Sequence, residues 1–134
     1  MDKNINILEV GPRDGFQNLK QMLTTEQKLK IIDGLIDAGV KELEVTSFVS
    51  PKAIPQMADA KEVAEHCLKN HPDTKIYALI PNLRGAQNAW DVGIRHVAYV
   101  ISLSESHNKA NINRTHEESF AELAKLIETY PDLD

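Results

Sequence analysis

Gly11-Pro12-Arg13-Asp14-Gly15-Phe16-Gln17-Asn18 follows the apolar run Ile5-Asn6-Ile7-Leu8-Glu9-Val10 and precedes an amphipathic helical pattern. The run reads as a strand, and the stretch after it as a turn at that strand's C-terminal end. Proline fixes φ there and the two glycines relax the backbone. A parallel α/β protein places its chemistry at this end of its strands.

Working outward, Thr24 opens a helix, and Gln27 three residues later completes a capping-box pattern. Leu29, Ile32 and Ile36 recur at helical spacing, with Ile31 and Leu35 widening the stripe and Gly39 as the stop. A second strand follows from Lys41 to Thr46, its alternation placing Leu43 and Val45 on one face and Glu42, Glu44 and Thr46 on the other. Prolines at 51 and 55 keep the next segment a loop. Ala60, Val63, Ala64, Cys67 and Leu68 then mark a second helix that ends at His71-Pro72. A third strand runs from Lys75 to Ile80. Asn82 caps a short helix carrying Leu83, Ala86 and Trp90, which Gly93 closes. A fourth strand is predicted from Val97 to Ile101, then a polar loop from Ser102 to Arg114. A second capping box, Thr115 with Glu118, opens a last helix with Phe120, Leu123, Ala124 and Ile127 on its apolar face.

The order is β-α four times, which predicts an α/β fold with a parallel sheet and helices outside it. Such a chain fits either a small open sheet or the first half of a TIM (β/α)8 barrel, since a full barrel takes about 250 residues and this chain has 134. Residues 1–134 are expected to be a single partial domain. A net charge of -5 without a basic stripe argues against nucleic acid as a partner. No apolar run reaches membrane-spanning length. The polar start, Met1-Asp2-Lys3-Asn4, does not read as a signal peptide. One cysteine, Cys67, forms no intramolecular disulfide. A cytoplasmic location is therefore the expectation.

Arg13-Asp14 carries the most chemistry. A carboxylate at a strand end is able to ligate a divalent metal. An arginine beside it stays protonated and is able to hydrogen-bond a developing enolate oxygen. A simple turn salt bridge is the commoner role for such neighbours. Glu44 needs a partner if it faces a barrel interior, and Arg13 from the adjacent strand end is the candidate. A solvent-facing glutamate is the alternative. Thr46, Ser47, Asn82, Ser102, Ser104 and Glu105 lie at the other strand ends, where turn and cap roles compete with a pocket. No histidine pair has strand-borne metal spacing or H-E-x-x-H. His66 and His116 read as solvated helix residues, His107 lies in the loop after the fourth strand, and Cys67 reads as core.

Four ordered blocks then resemble the hydroxymethylglutaryl-CoA lyase family. They are Val10 to Asn18; Glu44 to Lys52 with Ile54 to Asp59; Pro81-Asn82-Leu83-Arg84-Gly85; and Ser104-Glu105 with Asn111-Ile112-Asn113 and Glu117-Glu118-Ser119-Phe120. The resemblance implies the first half of a metal-dependent TIM barrel that cleaves 3-hydroxy-3-methylglutaryl-CoA to acetoacetate and acetyl-CoA. Asp14 would ligate Mg²⁺ or Mn²⁺, Arg13 would stabilise the enolate, and Glu44 would orient Arg13. Gln17, Ser47 and Ser104 would lie near the acyl-CoA substrate.

That family's remaining ligands, a His-x-His and an asparagine, and its cysteine-bearing glycine-rich loop, are not among these residues. This chain alone is therefore expected to be inactive. Its outer strands would be open to a second copy or to a C-terminal half. An aldolase or acyl-CoA condensing enzyme of the same superfamily, and a non-catalytic self-assembling half-barrel module, are the competing readings.

Overall fold

The structure is a computed structural model that describes residues 5–134. Four strands, β1 (Leu8–Glu9), β2 (Glu42–Ser47), β3 (Lys75–Leu79) and β4 (His96–Ala98), form one sheet in the order β1-β2-β3-β4. Every pairing is parallel. Helices α1 (Thr25–Asp37), α2 (Ala60–Asn70) and α3 (Leu83–Val92) make the crossovers, and α4 (Glu105–Ile112) and α5 (His116–Thr129) follow β4. This is a (β/α)4 unit of the TIM-barrel type: the alternation predicts the parallel sheet, and the family resemblance implies the barrel form.

The helix boundaries follow their capping chemistry. Thr24 Oγ1 accepts from Gln27 N–H at 3.2 Å, and the Gln27 side chain accepts from Thr24 N–H at 2.9 Å. Thr115 and Glu118 repeat the exchange at α5. Asn82 Oδ1 accepts from Gly85 N–H at 2.8 Å to start α3. Gly39 and Gly93 both take the left-handed conformation after their helices, which costs glycine little.

The core lies between the sheet and the helices. One buried cluster joins Ile32 of α1, Leu43 and Val45 of β2, Val63, Ala64 and Cys67 of α2, Ile76 and Ala78 of β3, and Ala86 and Ala89 of α3. Burial pushes the Cys67 thiol up to about 12, so it is an inert core group. A buried polar network fastens α1 to the start of α2. Lys28 Nζ donates to Asp59 Oδ1 at 2.7 Å and to the Gln56 carbonyl. Thr25 Oγ1 donates to Asp59 Oδ2 at 2.8 Å, and Gln56 accepts from Leu23 N–H at 3.0 Å and donates to the Gln21 carbonyl at 2.9 Å.

Several local expectations change. The strand expected from Ile5 pairs only as Leu8↔Glu42 and Glu9↔Leu43. As an edge strand it has one neighbour, and β2 begins at Glu42, so earlier residues have no ladder partner. β4 shortens to His96–Ala98 because its partner β3 ends at Leu79, before Pro81. On the outer side of β4, Asp134 N–H donates to the Arg95 carbonyl and Val97 N–H donates to the Asp134 carbonyl, each at 2.8 Å. That pair is a parallel bridge opposite His96, so β4's edge is partly covered at its start.

The alternation expected in β2 breaks at a register shift between Glu44 and Thr46. Glu44 pairs with Tyr77, whereas Thr46 pairs with the core residue Ala78 and its hydroxyl contacts Met57 Sδ at 3.7 Å. The extra residue changes the pleat, so Glu44 and Thr46 do not share a face.

Within the polar loop expected from Ser102 to Arg114, the structure holds α4. This helix lacks an apolar stripe. Its one buried residue is Asn108, whose Oδ1 accepts from Ser102 N–H at 3.0 Å. The Asn108 amide donates to Ser119 Oγ at 2.9 Å and to the Arg114 carbonyl at 3.0 Å. That anchor turns α5 so that Ser119 and Leu126 are buried and the expected face residues Phe120 and Ile127 are exposed. No helix among the described residues is long and apolar enough to cross a membrane.

Candidate functional site

The chain leaves β1 through one π-helical turn, Gly11–Gly15. Asp14 N–H donates to the Val10 carbonyl at 2.7 Å. Such turns are uncommon and recur at functional sites. Gly11 N–H donates to Glu9 Oε1 at 2.6 Å, which ties the Glu9 carboxylate to the start of the turn.

The turn delivers Arg13 to β2. Its Nε donates to Glu44 Oε1, and its Nη1 lies 3.2 Å from Asp14 Oδ1. Glu44 is almost fully buried with a side-chain exposure of 3%, Arg13 retains 17%, and Asp14 is open at 58%. A buried carboxylate thus holds a guanidinium whose far side faces out, beside an accessible carboxylate. Asn18 Nδ2 braces the turn by donating to the Asp14 carbonyl at 2.8 Å.

Arg13 and Gln17 line a cleft of about 470 Å³ beyond the C-terminal ends of the strands, with Ile80, Pro81, Asn82 and Arg114 on its other walls. Ser47, at the end of β2, is wholly buried, and its Oγ has no hydrogen-bond partner. Ser104 does not line the cleft. It is exposed and its Oγ caps α4, accepting from His107 N–H at 3.3 Å.

Arg13, Asp14, Glu44 and Gln17 are therefore brought together, Ser47 lies beneath the strand end, and Ser104 stands apart. The residue that sequence reasoning missed is Arg114. It pairs with Glu122, its Nη1 donates to the Pro81 carbonyl at 3.4 Å, and it brings a second guanidinium to the cleft. The predicted loop ended at Arg114, with no motif marking it; only the fold of α4 places it. Tyr99 beside it has its hydroxyl pushed up by burial, with Arg114 pulling the other way.

A second set of potential ligands lies in the helical layer. Asp33, His66 and His71 hold their ligand atoms within 4.8 Å of one another. His66, expected to be solvated, is instead bonded to Asp33, and His116 Nε2 contacts the Ser102 carbonyl at 2.7 Å.

Parallel βα units with a charged cluster at the C-terminal strand ends define a barrel-type α/β enzyme architecture. More narrowly, the chain belongs to the HMGL-like family, whose model matches residues 4–133. It is 42% identical over 127 residues to the mitochondrial hydroxymethylglutaryl-CoA lyase of Macaca fascicularis, covering 95% of this chain and 39% of that protein. It superposes on the HMG-CoA lyase of Bacillus subtilis with a TM-score of 0.89 at 40% identity, covering 96% of this chain and 43% of that one. The HMG-CoA lyase of Acinetobacter baumannii, solved with coenzyme A and 3-methylmalate, gives a TM-score of 0.87 at 38% identity, covering 93% of this chain and 41% of that one. The chain thus spans about two fifths of the length of these relatives.

Proposed function

We propose that this chain carries the enolate-stabilising half of a metal-dependent carbon–carbon lyase site that cleaves 3-hydroxy-3-methylglutaryl-CoA to acetoacetate and acetyl-CoA. The observation that carries this reading is Arg13, held by buried Glu44 beside exposed Asp14 at a cleft over the strand ends.

The donor set fits a hard divalent cation in part. Asp14 offers one accessible carboxylate, suited to Mg²⁺ or Mn²⁺. When bound, such a metal supplies Lewis acidity toward the substrate hydroxyl. Arg13 donates to the thioester oxygen as negative charge arrives there. Glu44 fixes the guanidinium through Nε, leaving terminal N–H groups for the substrate. Gln17 contacts the acyl portion from the cleft wall. Ser47 and Ser104 are assigned to the acyl-CoA substrate by the family resemblance alone, since Ser47 is wholly buried at the end of β2 and Ser104 caps α4 outside the cleft.

One carboxylate does not hold a cation tightly, so a polypeptide of these residues alone is expected to show no turnover with Mg²⁺ or Mn²⁺. Joined in frame to the remaining part of the B. subtilis enzyme, it is expected to release acetoacetate. A folded chimera that cleaves another acyl-CoA in its place would move the assignment to an aldolase or condensing branch. Failure with every acyl-CoA tested would overturn the catalytic reading and favour a non-catalytic module.

We further propose that residues 1–134 form the N-terminal half-barrel unit and that the exposed β1 edge, bearing Ile5, Ile7 and Leu8, pairs with a second copy or a C-terminal half. Light scattering that finds only monomer at tens of micromolar would remove the homodimer. The proposed setting is the cytoplasm, in keeping with the single buried cysteine.

A further inference from the structure

Two imidazoles converge on one carboxylate in the outer helical layer. His71 Nε2 lies 2.7 Å from Asp33 Oδ1, and His66 Nε2 lies 3.0 Å from Oδ1 and 3.1 Å from Oδ2. Asp33 belongs to α1, His66 to α2, and His71 follows α2 directly. We propose that Asp33, His66 and His71 form a zinc-type transition-metal site that clamps α1 to the end of α2, separate from the strand-end cluster around Asp14.

The donor chemistry selects the ion. Two imidazole nitrogens and one carboxylate oxygen suit Zn²⁺ better than Mg²⁺ or Ca²⁺, which prefer all-oxygen shells. Tetrahedral ligands at zinc bond lengths sit roughly 3.3 Å apart. The two carboxylate-to-imidazole separations are 2.7 and 3.0 Å, and all three ligand atoms lie within 4.8 Å of one another, so a cation replacing the bridging protons needs side-chain adjustments and no movement of the helices. Three protein ligands leave the fourth position to water. Cys67 neighbours His66 in the chain but is wholly buried in the core, so the thiol takes no part.

Access and place also fit. The side chains of His66 and Asp33 are 28% and 36% exposed, and both line a surface depression with Glu26, Lys30 and Asp37, so an ion has an entry path. His71 lies shortly before β3 begins at Lys75, at the N-terminal ends of the strands. Asp14 lies at the opposite end. The N-terminal face of a barrel is where stability rather than chemistry is usually found. A clamp there stabilises the fold, because ion-binding free energy adds to folding free energy.

The test uses tag-free, chelator-stripped protein titrated with Zn²⁺ by calorimetry, with melting curves and Co²⁺ absorption spectra alongside. Expected are one ion per chain, a melting rise of about 8 °C at a hundredfold excess over Kd, and a four-coordinate Co²⁺ spectrum. His66→Gln and His71→Gln are each expected to weaken binding at least tenfold and to cut the melting rise at the same Zn²⁺ concentration to half or less, while Asp14→Asn changes neither. Absence of Zn²⁺ binding would reduce the cluster to a hydrogen-bonded helix contact and overturn the proposal. Binding that survives both histidine variants would overturn it as well. Should a variant fail to fold, an octahedral Co²⁺ spectrum in the unaltered protein is decisive against the site.

Discussion

Lys28 with Asp59 and Arg13 with Glu44 are built from the same parts: a cation from one βα unit held by a carboxylate from the next. Their surroundings differ. Lys28 donates to Asp59 and to a carbonyl, Asp59 also accepts from Thr25, and Gln56 is bonded through both its oxygen and its nitrogen. That network is closed on itself. Arg13 is held by Glu44 through Nε and by Asp14 through Nη1, and it lines a cleft with N–H groups left over, beside the exposed Asp14 carboxylate. A buried ion pair whose hydrogen-bonding capacity is used up is a structural fastener. One with donors left over beside a cavity is a site.

Substitutions separate the two roles. In the chimera described above, Arg13→Lys is expected to lower kcat by about 10²–10³-fold with stability nearly unchanged; equal kcat would erase the distinction. Lys28→Ala is expected to do the reverse, costing about 3 kcal/mol in urea unfolding by leaving Asp59 unpaired without altering kcat in any chimera that stays folded. Asn108→Ala lies between them: loss of a buried amide is expected to cost about 2 kcal/mol and to loosen the α4 segment that carries Arg114 to the cleft, seen as raised KM.

The smallest effect concerns Asp33. Partial burial raises its pKa, but hydrogen bonds from His71 and His66 outweigh that and leave it below the ordinary 3.8. A depressed folded value stabilises above the unfolded one and is lost as pH falls through it. The acid arm of the stability curve below about pH 4 is therefore expected to flatten slightly in Asp33→Asn, whereas an unchanged arm would deny the histidine contacts.

The same contrast explains what could be read in advance. Capping residues act locally, so Thr24, Asn82 and Thr115 announced their helices. The Arg13–Glu44 contact was also accessible, because adjacent parallel strands bring their ends together. Neither the Lys28 network nor the Asp33 cluster leaves a mark in the chain, since each joins residues about thirty positions apart across two helices with no shared period. The α4 helix escaped periodicity because one buried asparagine, and no apolar stripe, pins it. The shortened β1 and β4 were set by where their partners end, a property of the neighbouring strand. The register shift in β2 has no signature in residue type, and it pairs Thr46 with the core residue Ala78, off the face that carries Glu44.

The two-residue length of β1 has a kinetic meaning. The proposed catalytic arginine is carried by the strand with the fewest ladder bonds in the sheet. Amide exchange at Glu9 and Val10 is therefore expected to outpace that across β2 and β3 by orders of magnitude, through local opening rather than global unfolding. The Arg13–Glu44 bond opposes that opening. Glu44→Gln would then speed exchange on β1 while leaving β3 untouched, making the strand's lifetime in the closed state a direct readout of how well the arginine is held.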